Sequence, residues 1–224
     1  MIGNTKRCTN GNHEEENNDL CMYDNIKKAV KIILNFEYLD LTIDPNTAHY
    51  GLRFYTAFNR LDAVGKKVPR LIGDRLIALN ANITVPNGYT PRFDNTDRET
   101  IIPICDLRDV AFVVERCKAD NFLRELRRNY KRIKVEDEVC SCNKEILEVL
   151  TKHKFNYCER EPIFEIGVRA MDRSNNPIRG KVVAYDSQVV WIQSVATDIP
   201  PTFYLVTLDN NISYILPIIN NFRD

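Results

Sequence analysis

No stretch of this chain reaches the roughly 18 consecutive apolar residues that a membrane-spanning helix requires. The opening segment, MIGNTKRCTNGNHEEENND, also lacks the apolar core of a secretory signal. No membrane partner is expected, and the expected setting is nuclear or cytoplasmic. Charge of one sign is missing as well: Lys plus Arg and Asp plus Glu both number 31, so no global field draws the molecule to nucleic acid, and any such contact has to be a local patch. The seven cysteines are an odd number without regular spacing, which suits reduced thiols better than a disulfide framework. His13, His49 and His153 stand in no Ser/His/Asp or Cys/His arrangement, so neither catalysis nor a cofactor is expected.

The 224 residues, 44% hydrophobic and 28% charged, are enough for one large or two small domains. Residues 1–20 offer almost nothing to bury and read as a flexible tail. Residues 21–48 read as an N-terminal helix and a connector. Ile26, Ala29, Val30, Ile33, Leu34 and Phe36 recur at helical spacing opposite Lys27, Lys28 and Lys31, and Asp44-Pro45-Asn46 breaks the extended stretch that follows. Residues 49–106 alternate strand-like segments (LRFYTAF, RLIALN, NITV, ETIIPI) with turns at Pro86-Asn87-Gly88 and Asp94-Asn95, and a basic connector surrounds VGKKVPR. Helical spacing returns within residues 107–160, over Asp109–Lys131 and again over Ser141–His153. Residues 161–224 return to short β-branched and aromatic runs, Val-Val-Ala-Tyr, Val-Val-Trp-Ile and Phe-Tyr-Leu-Val-Thr-Leu, separated by polar turns.

Two of these stretches end alike. Residues 163–217 place Gly167-Val168-Arg169-Ala170, a Gly180-Lys181-Val182-Val183 strand and a Tyr204-to-Asn210 hairpin in series. Residues 51–104 carry a looser copy, from Gly51 and Arg53 through Ala57, Tyr89 and Phe93 to Asp94-Asn95 and an Ile-Pro-Ile exit. The motifs at these positions resemble those of Tudor domains, bent SH3-like barrels of about five strands. The IIPIC segment and the helix after it are similar to the connection between tandem Tudor repeats in SET-domain methyltransferases of histone H3 lysine 9, although no SET domain is present. The fold this implies is mainly β with α: two small SH3-like barrels at 49–106 and 161–224, joined by a helical linker at 107–160. The function it implies is a non-catalytic reader or adaptor of a lysine- or arginine-methylated peptide, a histone tail among the candidates. It favours the nucleus, in chromatin or ribonucleoprotein complexes.

Such readers hold a methylated cation against the negative faces of several aromatic rings. In the last unit the usual cage positions hold Met171 or Asp172 and Ile178. Of Tyr185, Trp191, Phe203, Tyr204 and Tyr214, strand alternation turns several inward, so a complete cage is not expected there. The first unit is richer. Phe54 and Tyr55 face opposite sides of a strand, so only one can join a cage, and the candidate peptide-binding set is Tyr55, Phe58, Tyr89 and Phe93 with Asp94 as carboxylate. The plainer reading of the same rings is barrel core or rim. Arg124, Arg127, Arg128 and Lys131, with Arg116 and Arg132, form a basic stripe that fits phosphates or a partner, but Glu115, Asp120 and Glu125 offset it, and a nucleic-acid function is not favoured. Cys140, Cys142, His153 and Cys158 are soft ligands within one short stretch, yet Cys-x-Cys is tighter than a usual zinc knuckle, and no metal is expected. Tyr23-x-x-x-Lys27 matches a Tyr/Lys proton-transfer pair, but no Gly-rich βα turn precedes it. The rival to the reader is a scaffold whose barrels carry no working cage and whose N-terminal helix docks on a larger partner.

Overall fold

The computed structural model describes residues 15–34, 49–64, 69–84, 99–130, 141–152, 162–171, 173, 176–195, 201–209 and 211–218. The chain is mainly β with helices, as the sequence implies. Helix α1 (Glu15–Leu34) begins within the segment read as a tail and ends before Phe36. Its apolar face is the one the spacing predicts, with Ile26, Ala29, Val30 and Ile33 buried. Among the described residues no helix is long and apolar enough to cross a membrane.

The first β half runs β1 (His49–Tyr55), β2 (Arg60–Val64), β3 (Arg70–Ile72), β4 (Leu76–Leu79), β5 (Ala81–Thr84), β6 (Thr100–Pro103), a 3-10 turn at Ile104–Asp106, and β7 (Asp109–Val113). The chain bends from one sheet to the other at Asn80, whose carbonyl accepts from Val64 N–H at 2.8 Å; on one side of the bend β2 pairs antiparallel with β5, and on the other β3 and β4 form an antiparallel hairpin. Its tip needs a left-handed residue, and Gly73 supplies it at φ +57°. Beyond the bend, β6 pairs with β4, while β7 returns to pair with β1. The second half runs β8 (Ile163–Val168), β9 (Ile178–Tyr185), β10 (Val189–Ser194), β11 (Thr202–Thr207) and β12 (Ile212–Ile218), with β12 returning to pair with β8. Counting β2 with β3 and β4 with β5 as the two arms across the bend, both halves have one order: the first four strands side by side and the fifth beside the first.

The halves are not separate. β7 pairs with β11, Phe112 opposite Phe203 and Ala111 opposite Tyr204, so a nine-stranded sheet of order β12-β8-β9-β10-β11-β7-β1-β2-β5 crosses both, beside a three-stranded sheet β3-β4-β6. Three spans differ from their sequence reading. Residues 109–113, read as the start of a helix, are the strand that makes this seam. Asp109-Val-Ala-Phe-Val is buried on both faces, and a continuous apolar run of that length fits either period. Arg60–Val64 and Arg70–Ile72 are strands where none was expected; in the first, polar Arg60 and Asp62 alternate with apolar Leu61 and Ala63 at the strand period, and Asp62 is buried with them.

Helix α2 (Ala119–Asn129) lays Phe122 and Leu126 on the seam, and α3 (Ser141–Lys152) contributes Leu147 and Leu150 to the second half. The core accordingly divides in two. Val190, Ile192, Val206 and Leu208 face Phe164, Ile166, Ile178 and α3. Val189, Trp191, Phe203 and Leu205, on the other face of the same strands, join α1, α2 and the first half. Strands β10 and β11 therefore lie between two cores, which is why they read as unbroken apolar runs. β9 changes face at a bulge: the register slips between Trp191 and Ile192, and Val183 and Ala184 both turn toward the first core. The cross-strand approach there also explains Gly180, where a Cβ would lie 2.2 Å from the Gln193 carbonyl oxygen.

Candidate functional site

The residues with the chemistry of a cation site converge on the seam. β1 ends at Tyr55, whose backbone carbonyl accepts from Arg108 N–H at 2.8 Å and whose Cα partner on β7 is Asp109. The chain then turns sharply. Thr56 Oγ1 accepts from Asn59 N–H at 2.9 Å and Phe58 N–H at 3.3 Å, which caps the turn and leaves the Phe58 ring 72% exposed at its tip. From the second half, the loop after β8 is tied to this turn by Met171 N–H donating to the Thr56 carbonyl at 3.1 Å, and it delivers Arg173.

Arg173 is buried, and its guanidinium carbon lies 4.1 Å from the Tyr55 ring centroid and 5.2 Å from that of Tyr204. Its Nε donates to Asp109 Oδ2 and its Nη2 to Asp109 Oδ1, both at 2.9 Å, a two-toothed fork on a fully buried carboxylate. Burial alone would lower the Arg173 pKa, but the charge and hydrogen bonds of Asp109 outweigh it and hold the guanidinium above its ordinary value, so it stays charged. Burial raises the Tyr55 and Tyr204 phenols, with the nearby guanidinium opposing, so both rings face the cation in their neutral form.

A polar network closes the seam beside this pair. Asn211 Nδ2 donates to the Arg108 carbonyl at 2.5 Å and the Thr207 carbonyl at 3.0 Å, and Thr207 N–H donates to the Arg108 carbonyl at 3.0 Å. Asp209, in the hairpin turn singled out by the sequence, accepts from Asn143 Nδ2 of α3 at 3.0 Å. That turn motif thus serves the contact between halves and the docking of a helix.

Of the candidate cage, Tyr55 is 5% exposed and its ring is already covered by Arg173, whereas Phe58 projects outward. Tyr89, Phe93 and Asp94 lie outside the described residues, as does Asp172 of the second unit's cage positions; Met171 is half-buried and Ile178 buried. Trp191 and Phe203 point into the core, as strand alternation implies, while Tyr214 is 43% exposed. On α2, Arg124, Arg127 and Arg128 are exposed, with Arg124 bonded to Asn121 and Arg128 placed 3.9 Å from Glu125; Lys131 lies outside the described residues. Cys140, His153 and Cys158 lie outside them too, and so does the side chain of Cys142. Among the described residues no group of three His, Cys, Asp or Glu side chains is placed to hold a metal ion.

Arg173 and Asp109 escaped the sequence reading. The only local trace was a carboxylate heading an otherwise apolar run at 109–114, and nothing in the loop distinguishes Arg173 from its polar neighbours. No family model, curated protein or solved structure matches the chain.

Proposed function

We propose that the chain is a non-catalytic adaptor of two SH3-like, Tudor-like units that binds an extended peptide along the rim next to the seam, in a chromatin or ribonucleoprotein setting. The observation that carries this reading is the repeated strand order, five strands with the last returning beside the first, preceded in the first half by the short 3-10 turn Ile104–Asp106. Small bent β units of this kind present rims and turns for recognition, and Phe58 supplies an exposed ring at such a turn. A trimethyl-lysine or dimethyl-arginine side chain would meet that ring from solvent.

One observation favours the rival, a scaffold without a working cage: the Tyr55 ring, which a reader built on this set would need free, is covered by Arg173. Titrating trimethyl-lysine, dimethyl-arginine and unmodified peptides against the full chain separates the two. The reader predicts that Phe58→Ala weakens binding about five- to tenfold, on the order of 1 kcal/mol, with an unchanged thermal midpoint. Binding that ignores both methylation and Phe58→Ala supports the scaffold instead.

A further inference from the structure

We propose that the seam contains an arginine-recognition site whose present occupant is the chain's own Arg173. The walls come from three strands. Tyr55 ends β1, Asp109 begins β7, and Tyr204 lies on β11 opposite Ala111 of β7. The ligand comes from elsewhere, on the loop between β8 and β9, 64 residues along the chain from its carboxylate. Walls and occupant are thus separate parts of the chain.

The chemistry selects a guanidinium. Both Asp109 oxygens are engaged, one by Nε and one by Nη2, a planar pairing that an ammonium on a single nitrogen cannot reproduce. The flat cation lies within reach of two tyrosine faces, at 4.1 and 5.2 Å from their centroids, where cation–π attraction adds to the fork in a site shielded from water. A trimethylammonium could use the rings but has no hydrogen to give to Asp109. The site is therefore an arginine-binding site occupied in cis, and it accepts an arginine side chain from another molecule only when Arg173 is out of it. This assignment does not depend on peptide binding at Phe58.

The test uses the full chain carrying Arg173→Ala, titrated with methylguanidinium well below denaturing concentrations. The readouts are the thermal midpoint and the fluorescence of Trp191, the single tryptophan. A saturable rise of several degrees is expected for Arg173→Ala. The unsubstituted chain, whose site is full, should show no such rise, and in Arg173→Ala/Asp109→Asn the apparent affinity should fall at least about tenfold, the loss that follows removal of one charged partner. Tetramethylammonium should have no comparable effect. If Arg173→Ala does not fold in buffer, refolding yield with and without methylguanidinium becomes the readout, and recovery supports the assignment. No saturable response, no recovery, an equal response to tetramethylammonium, or an equal response of the unsubstituted chain overturns it.

Discussion

Asp186 shows how a buried carboxylate can be structural and still cost stability. Its Oδ1 accepts from Gln188 N–H at 2.8 Å and Val189 N–H at 2.9 Å, which fixes the turn between β9 and β10. Burial raises its pKa, and those two N–H groups pull the other way without overcoming it. The native state therefore binds a proton more readily than the unfolded chain. Stability contributed by this group is greatest in acid, declines as pH rises from the unfolded value of about 3.9 through the raised folded value, and stays reduced above it. Asp186→Asn keeps the accepting oxygen and removes the charge. The variant is expected to have an equal or higher thermal midpoint at pH 7 and a flatter stability profile across the acid limb in urea titrations. A lower midpoint at pH 7 would show that the charge itself is needed. At this scale the sequence identified Tyr55 as a residue of interest but not its partners, because Asp109 and Arg173 meet only through the pairing of distant strands.

At the scale of elements, α2 binds the halves together. Phe122 packs edge-on against Phe112 of β7 at 5.5 Å, Phe203 of β11 at 4.7 Å and Trp191 of β10 at 6.0 Å, so a single ring contacts strands from both halves. Phe122→Ala is expected to destabilise by about 3–5 kcal/mol, as a fully buried aromatic leaves a cavity that the surrounding sheet cannot close. Urea denaturation measures it, and a loss below about 1 kcal/mol would mean that α2 is not part of the cooperative core. The amphipathic faces of α1 and α2 were readable because only one side of each helix is buried. β7 was not, because burial on both sides erases the alternation that marks a strand.

For the whole molecule, the shared sheet and the core that spans both halves predict one unfolding transition. Trp191 sits in the core cluster that contains residues of β1, β2, β4 and β7 as well as β10 and β11, so its fluorescence reports on the joined structure. Fluorescence and far-ultraviolet circular dichroism are expected to give coincident denaturant midpoints. Two separated midpoints would mean that each half folds on its own and that the β7–β11 pairing is a docking contact.

What the sequence determined by itself was local: helices where one face is apolar and short strands between polar turns. Local spacing carries that information because each depends on residues a few positions apart. Only the tertiary structure decided that β7 and β11 pair, that β10 and β11 lie between two cores, and that Arg173 fills the space between Tyr55, Tyr204 and Asp109. Those contacts join residues far apart in the chain, and their energy exists only once strand pairing has brought a buried carboxylate, two ring faces and a guanidinium within a few ångströms of one another.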